Sequence, residues 1–158
     1  MQCGKDAPHS IAQWRGGQRV RVVALNGDSR SLPTLDPRFQ TLLLTRDGTL
    51  PTEIPQLRAD CVAASPDAWR VFAQIAGVPA DRLGGTVLLA DRGGWLRARG
   101  APGQRGWSEA DMVCRAGSGA ELRRDAPAVD GLTGLLLTMD DEPVRFVKGG
   151  FVHGGLPW

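Results

Sequence analysis

Residues 65–100 constrain the fold more than any other part of the sequence, because they combine a capped helix with two strands. Ser65 is a suitable N-cap, Pro66 fits the first helical position, and Asp67 complements the positive end of the helix dipole. Apolar side chains then recur on one helical face, at Trp69, Phe72, Ala73 and Ala76. Gly77 suits the left-handed position that follows a helix. The sequence therefore predicts a helix between the serine and the glycine.

Two strands joined by a tight turn are predicted after this helix. Residues 86–90 contain three successive apolar side chains, which indicates a strand covered on both faces. Residues 95–99 alternate Arg97 and Arg99 with apolar side chains, which predicts a strand with one solvent-exposed face. The intervening Asp-Arg-Gly-Gly at 91–94 is typical of a hairpin turn. We expect the rest of the chain to pack around this helix and hairpin.

Three further strands are predicted on the N-terminal side of the helix. Residues 19–25 alternate basic and apolar side chains and predict a strand with one exposed face. The apolar run at 39–44 predicts a central strand, and 61–64 predicts a strand that leads directly into the helix. A single helical turn is predicted around Trp14. This order of elements favours a mixed-sheet α/β domain over an all-α or all-β one.

Short elements are predicted in the C-terminal third. Ser108, followed three residues later by Asp111, resembles a capping box and predicts a helix from 108 to about 115. The apolar run within 131–139 fits either a strand or a buried helical turn, and its periodicity does not decide between them. Residues 144–153 are typical of a terminal β-hairpin. We therefore predict one domain at 1–118 and a C-terminal β extension at 119–158, packed on the same domain.

Charge and hydropathy exclude some classes of partner. Nineteen basic and seventeen acidic residues leave a net charge of +2, which does not favour nucleic acid. No segment approaches the roughly 20 apolar residues of a membrane helix, so no membrane span is predicted. The first residues lack the apolar region of a signal peptide. We expect a cytoplasmic protein, or a periplasmic one if a signal peptide has been removed.

The three cysteines are Cys3, Cys61 and Cys114. Their spacing matches neither a C-x-x-C pair nor a metal-ligand cluster, so no metal and no other cofactor is predicted. Cys61 is expected to be a buried, inert side chain of a strand. Cys3 is expected to be exposed near the terminus, with lipid or intermolecular attachment as the alternative. A reducing compartment is the simpler expectation for an odd number of cysteines.

Cys114 is the predicted catalytic residue if the protein is an enzyme. It opens the glycine-rich stretch 114–120, and backbone amides of such a loop can stabilise a thiolate and its anionic adduct. This arrangement, together with the chain end at 147–158, resembles rhodanese-type sulfurtransferases, in which the cysteine carries sulfur. A strand that ends at Cys114 would favour this chemistry, and a helix through it would leave no catalytic loop.

Five segments follow one another in an order that resembles a known family. They are 6–9, 41–44, 63–67, 77–79 and 86–99. They resemble the redoxin branch of the thioredoxin-like superfamily, closest to the C-terminal domain of flavin-dependent aromatic-ring hydroxylases. The resemblance implies a thioredoxin-like mixed β-sheet flanked by helices, with the 86–99 hairpin at one side. The redox cysteines of the family would follow 41–44, and this chain has none there.

The predicted function follows from the absence of the family's redox cysteines after residues 41–44. We expect an α/β, thioredoxin-like domain without redox cysteines, with a C-terminal β-hairpin extension, acting as a binding or assembly module. Its partner would be another protein or a second copy of the chain. Large aromatic and arginine side chains are common at such contacts. The predicted binding residues are Trp95, Arg97, Arg99 and Trp158. The alternative is an atypical rhodanese-like sulfurtransferase that uses Cys114.

Overall fold

A computed structural model describes residues 1, 3, 10–25, 36–47, 60–113 and 131–141. These residues form a five-stranded mixed sheet flanked by helices, so the predicted α/β class is confirmed. The helices are α1 (Ile11–Arg15), α2 (Pro66–Ala76) and α3 (Gly131–Asp141). The strands are β1 (Val20–Ala24), β2 (Gln40–Thr45), β3 (Cys61–Ala64), β4 (Val87–Ala90) and β5 (Leu96–Gly100). Within these ranges, no helix has the length and apolar character needed to cross a membrane.

The strand order across the sheet is β3-β2-β1-β4-β5. The strands β1, β2 and β3 run parallel, β4 is antiparallel to β1, and β5 is antiparallel to β4. The β4–β5 hairpin therefore lies at one side of the sheet, as predicted. The exposed face predicted for residues 19–25 is wrong, because β1 is a central strand and most of its side chains are buried. Its preceding residue, Arg19, forms an ion pair with Asp140 of α3.

Helix α2 has the boundaries and the buried face that the sequence predicts. The Ser65 hydroxyl accepts a hydrogen bond from the Ala68 amide at 3.0 Å. Gly77 adopts a φ of 67° and donates its N–H to carbonyls of the last helical turn. The four apolar side chains of the predicted face are all buried: Trp69, Phe72, Ala73 and Ala76. Local signals are sufficient here because caps and an apolar stripe both favour the same helix.

Two apolar clusters cover the two faces of the sheet. On one face, α2 packs against side chains of all five strands, including Val22, Leu42 and Leu88. On the other face, α3 packs against the hairpin, where Leu89 and Ala98 contact the cluster that contains Leu135. The alternation of Leu88 and Leu89 between the clusters follows from the two-residue period of a strand. The hairpin is therefore covered on both sides.

A disulfide joins Cys3 to Cys61, the first residue of β3. Both residues belong to the apolar cluster beneath α2, with Cys61 1% exposed and Cys3 9% exposed. The burial predicted for Cys61 is confirmed, whereas the expected exposure of Cys3 is wrong. A cross-link over a sequence separation of 58 residues stabilises a fold by about 4 kcal/mol, through restriction of the unfolded chain. Spacing alone cannot predict this pair, because only the fold brings the two residues together.

The capping box at Ser108 is present, but the predicted helix is not. Asp111 accepts a hydrogen bond from the Ser108 amide at 2.8 Å, and the helix consists of one 3₁₀ turn over Glu109–Asp111. Met112 is extended and forms an antiparallel bridge with Ala98 of β5. Pairing with this strand replaces the helical hydrogen bonds that would have continued the turn, so the prediction of a helix through about residue 115 is wrong.

The only described part of the predicted C-terminal β extension is helical. Residues 131–141 form α3, which resolves the alternatives left open for the apolar run in favour of a helix. A β structure for this part of the extension is therefore wrong. The apolar side chains of α3 pack against the hairpin, and these tertiary contacts favour the helix. The periodicity of the apolar residues alone does not distinguish a helix from a strand here. The predicted hairpin at 144–153 lies outside the described residues.

Replacement of Ser65 by alanine is expected to reduce the free energy of unfolding by about 1 kcal/mol, because it removes the side-chain cap of α2. Chemical denaturation measures the change. Ser10→Ala is the matched control, since Ser10 caps the short α1, which has no buried residues. We expect a smaller loss there, and an equal or larger loss at Ser10 would contradict the central role of α2.

Candidate functional site

The predicted binding residues of the hairpin do not share one surface. Leu89 pairs with Ala98, whereas Ala90 pairs with Leu96, so the register shifts by one residue at Arg97. Such a β-bulge places two residues of one strand opposite one of the other and interrupts the alternation of side chains. The alternating exposed face predicted for 95–99 is therefore absent.

Arg97 lies in the interior of the protein. Its side chain is 0% exposed, and its Nη1 donates to Asp91 Oδ2 at 3.1 Å and to the Met139 carbonyl at 3.2 Å. Asp91 is buried as well, and its other oxygen accepts from the Trp95 amide at 3.0 Å. The predicted solvent exposure of Arg97 is wrong. The residue holds the turn of the hairpin and α3 together from inside.

Arg99 is partly buried on the opposite face of the sheet. Its Nη1 donates to the carbonyl of Ala76, the last residue of α2. A cation at this position complements the negative end of the helix dipole and satisfies a terminal carbonyl. The structure thus places Arg99 against a helix terminus, whereas it places Arg97 against α3. The two arginines that the sequence grouped together stabilise different helices.

The turn of the hairpin is joined by α1, which the sequence did not connect with it. Nη1 of Arg15 donates to the Arg92 carbonyl at 2.9 Å. Gly94 has a φ of 87°, and a Cβ at this position would lie 2.5 Å from the same nitrogen of Arg15. The positive φ favours glycine here, and a larger side chain would displace the guanidinium of Arg15. We call Arg15, Arg92, Gly93 and Trp95 the turn surface.

The turn surface combines two guanidinium groups with one indole ring. Arg92 and Gly93 are exposed, and Arg15 and Trp95 are partly buried. Asp91, the acidic residue of the turn, points inward to Arg97. The turn therefore presents positive charge while its carboxylate is paired in the interior. No local sequence signal identifies Arg15 as part of this surface, because its position depends on the docking of α1.

A second polar cluster lies at the beginning of β2. Arg21 donates to Thr41 Oγ1 at 3.0 Å, and its guanidinium carbon lies 5.8 Å from the centroid of the Phe39 ring. Burial of the guanidinium lowers the pKa of Arg21. The hydrogen bond from Arg38 lowers the pKa of Asp36, and the same bond raises the pKa of Arg38. Arg38 also donates to Thr133 of α3 at 3.1 Å. The Arg38–Thr133 hydrogen bond links α3 to the segment that leads into β2.

The remaining predicted site residues, Cys114 and Trp158, lie outside the described residues. The two residues that precede Cys114 are described, and Met112 is extended. The Val113 amide donates to the Arg97 carbonyl at 2.9 Å, beside the bridge between Ala98 and Met112. Cys114 thus follows a segment paired with the sheet, not a helical one. The reactive-loop hypothesis for Cys114 stays a prediction.

The described part of the chain contains neither a metal-ligand cluster nor a free thiol. No group of three or more histidine, cysteine or acidic side chains is arranged there to hold a metal ion. No cysteine occurs between Cys3 and Cys61, so neither β1 nor β2 is followed by a thiol before β3 begins. The two described cysteines are joined in the disulfide.

Comparison of the chain with protein-family models, with curated proteins and with solved structures gives no match. Function must therefore be inferred from the residues themselves.

Asp91→Asn is expected to reduce the free energy of unfolding by about 3 kcal/mol, because it removes the carboxylate that is paired with a fully buried guanidinium. Chemical denaturation measures the loss. The double variant with Arg97→Met should recover part of it, since both charges are then removed.

The matched control for this prediction is Asp67→Asn, which breaks the exposed pair of Asp67 with Arg70. Its effect should stay below about 0.5 kcal/mol. Equal losses at the two aspartates, or strictly additive losses in the double variant, would contradict the assigned role of the buried pair.

Proposed function

We propose that the protein is a binding or assembly module of thioredoxin-like architecture, and that the turn surface contacts its partner. The observation that carries this proposal is the position of Trp95, which is partly exposed at a turn flanked by Arg15 and Arg92. Tryptophan and arginine are enriched among residues that contribute most to protein–protein affinity. A partner surface with acidic groups around an apolar recess would complement this arrangement.

The support beneath the turn favours recognition by a preformed surface. Asp91 accepts from the Trp95 amide and from Arg97, while Arg15 donates to the turn carbonyl of Arg92. A surface held in its bound conformation loses less conformational entropy when a partner binds. Arg97, predicted from the sequence as a contact, serves in this proposal as a support for the residues that make the contact.

The positions of the cysteines agree with a protein that carries out no thiol redox chemistry at the ends of its central strands. The central strands β1 and β2 are not followed by a cysteine, and the first two cysteines of the chain form a buried disulfide. A mixed sheet with the hairpin at one side also agrees with the resemblance to thioredoxin-like domains. Both observations are compatible with the proposed accessory domain.

Trp95→Ala is expected to weaken self-association about 30-fold, the effect of losing about 2 kcal/mol from a central aromatic contact. Sedimentation velocity over a concentration series measures the dissociation constant, and thermal unfolding confirms that the variant remains folded.

Val71→Ala is the control, because Val71 is 52% exposed on α2 and lies outside the turn surface. It should leave association unchanged. A parent chain that is monomeric at every concentration would exclude a second copy as the partner, and equal effects of the two variants would exclude the turn surface.

A second candidate function is supported by the extended backbone before Cys114. Met112 and Val113, the two residues before Cys114, are hydrogen-bonded to β5, and the sequence continues after the cysteine to the Gly-Ser-Gly of 117–119. In a sulfurtransferase reaction, the Cys114 thiolate would attack the outer sulfur of thiosulfate and release sulfite. The resulting persulfide would transfer that sulfur to cyanide, yielding thiocyanate and restoring the thiolate.

Cys114→Ala is expected to abolish thiosulfate–cyanide sulfurtransferase activity if this second function is correct, since the sulfur carrier is removed. Thiocyanate formation is the measurement. The control is Val71→Ala, an exposed residue of α2 that has no part in the proposed reaction, and it should retain activity. No activity in the parent chain, or equal activity in Cys114→Ala, would rule out the sulfurtransferase.

A further inference from the structure

We infer that the protein matures in an oxidising compartment, where the Cys3–Cys61 disulfide forms as a required structural bond and leaves Cys114 without an intrachain partner. The inference does not depend on the proposed function. It rests on the pairing, burial and location of the two cysteines. It replaces the expectation of a reducing compartment, which rested on the odd number of cysteines.

The disulfide attaches the beginning of the chain to an edge of the sheet. Cys61 begins β3 and lies opposite Leu42 of β2, and β3 has only four residues. Met1 and Cys3 both contact the apolar cluster beneath α2. A short edge strand has few backbone partners, so a covalent bond at its first residue restricts both the strand and the N-terminal segment.

Burial makes this disulfide suitable for a structural role and unsuitable for exchange. Thiol–disulfide exchange requires access of an attacking thiolate to one of the sulfur atoms. Cys61 is 1% exposed and Cys3 is 9% exposed, and apolar side chains surround both of them. Once the chain is folded, small thiols have little access to the bond. Disulfides of this kind persist in oxidising environments and are rare where cellular thiol systems keep cysteines reduced.

The covalent step has a defined balance of atoms and electrons. The thiols of Cys3 and Cys61 lose two protons and two electrons as the S–S bond forms. The acceptor is a disulfide, either oxidised glutathione or the active-site disulfide of an oxidoreductase, and it is reduced to two thiols. One cysteine first forms a mixed disulfide with this oxidant, and the other displaces the reduced oxidant from it. Cys114 must stay outside the pair for the fold to close correctly.

The first test maps the cysteines in the full chain after export to a bacterial periplasm and after production in the cytosol. Alkylation under denaturing, non-reducing conditions followed by mass spectrometry counts the thiols. For the exported chain we expect alkylation on the tryptic peptide 106–115 and a disulfide between peptides 1–5 and 59–70. An exported monomer with three alkylated cysteines, or with Cys114 linked to either other cysteine, would overturn the inference.

The second test asks whether the bond is required. Reduction of the unfolded exported chain with a phosphine, followed by refolding in its presence, should lower the melting temperature by about 10 °C, the shift expected for loss of a cross-link that closes a loop of this length. The double variant Cys3→Ala/Cys61→Ala should melt near the reduced parent and should not respond to reductant, whereas Cys114→Ala should respond as the parent does.

The cytosolic chain gives the decisive comparison between compartments. We expect three alkylated cysteines and a melting temperature close to that of the double variant, with faster digestion by a protease under native conditions. A cytosolic chain with three thiols and the melting temperature of the exported chain would show that the disulfide is dispensable, and the inference would be wrong. If the double variant does not fold at all, the requirement for the bond is supported by the thiol count and the reductant response of the parent.

Discussion

The buried pair of Arg97 and Asp91 is the interaction on which this side of the molecule depends. It joins the end of β4, the bulge of β5 and the C-terminal part of α3, because the guanidinium also donates to the Met139 carbonyl. Two charges in an apolar interior are unfavourable unless their polar atoms are satisfied by good geometry. Once paired, they fix the turn relative to the helix. The position of Trp95 at the surface follows from this arrangement, since its amide is held by Asp91.

The two functional proposals both depend on β5, one on the turn before the strand and the other on its outer edge. At its beginning, the turn surface presents an indole ring and arginine side chains on a rigid support. At its outer edge, β5 pairs with Met112 and Val113, and so determines the backbone that leads to Cys114. A change in the bulge would alter both places. The two proposals can still be tested separately, because Trp95→Ala changes only the turn surface and Cys114→Ala changes only the thiol.

The disulfide fixes the β3 edge of the sheet to the N-terminal segment, as the ion pair fixes the hairpin edge to α3. The edge strand β3 is short, and its first residue is covalently attached to the N-terminal segment. The stabilisation arises mainly because the cross-link restricts the unfolded chain. At the β3 edge, the disulfide joins residues 58 positions apart in the sequence. At the β5 edge, Arg97 links the strand to Met139 of α3, in the layer that covers the sheet. The central strands need no such device, since they are paired on both sides.

The sequence alone determined the elements whose causes are local. The cap, dipole and apolar stripe of α2 act within four residues of one another, and the glycines of the hairpin turn meet a backbone requirement of the turn itself. The tertiary structure decided the rest. A bulge between two strands buried Arg97, the docking of α1 brought Arg15 to the turn, and pairing with β5 ended the helix after Asp111. It also paired Cys3 with Cys61. Each of these depends on contacts between residues far apart in the chain, whose energies exceed local preference and leave no signal in a short window of sequence.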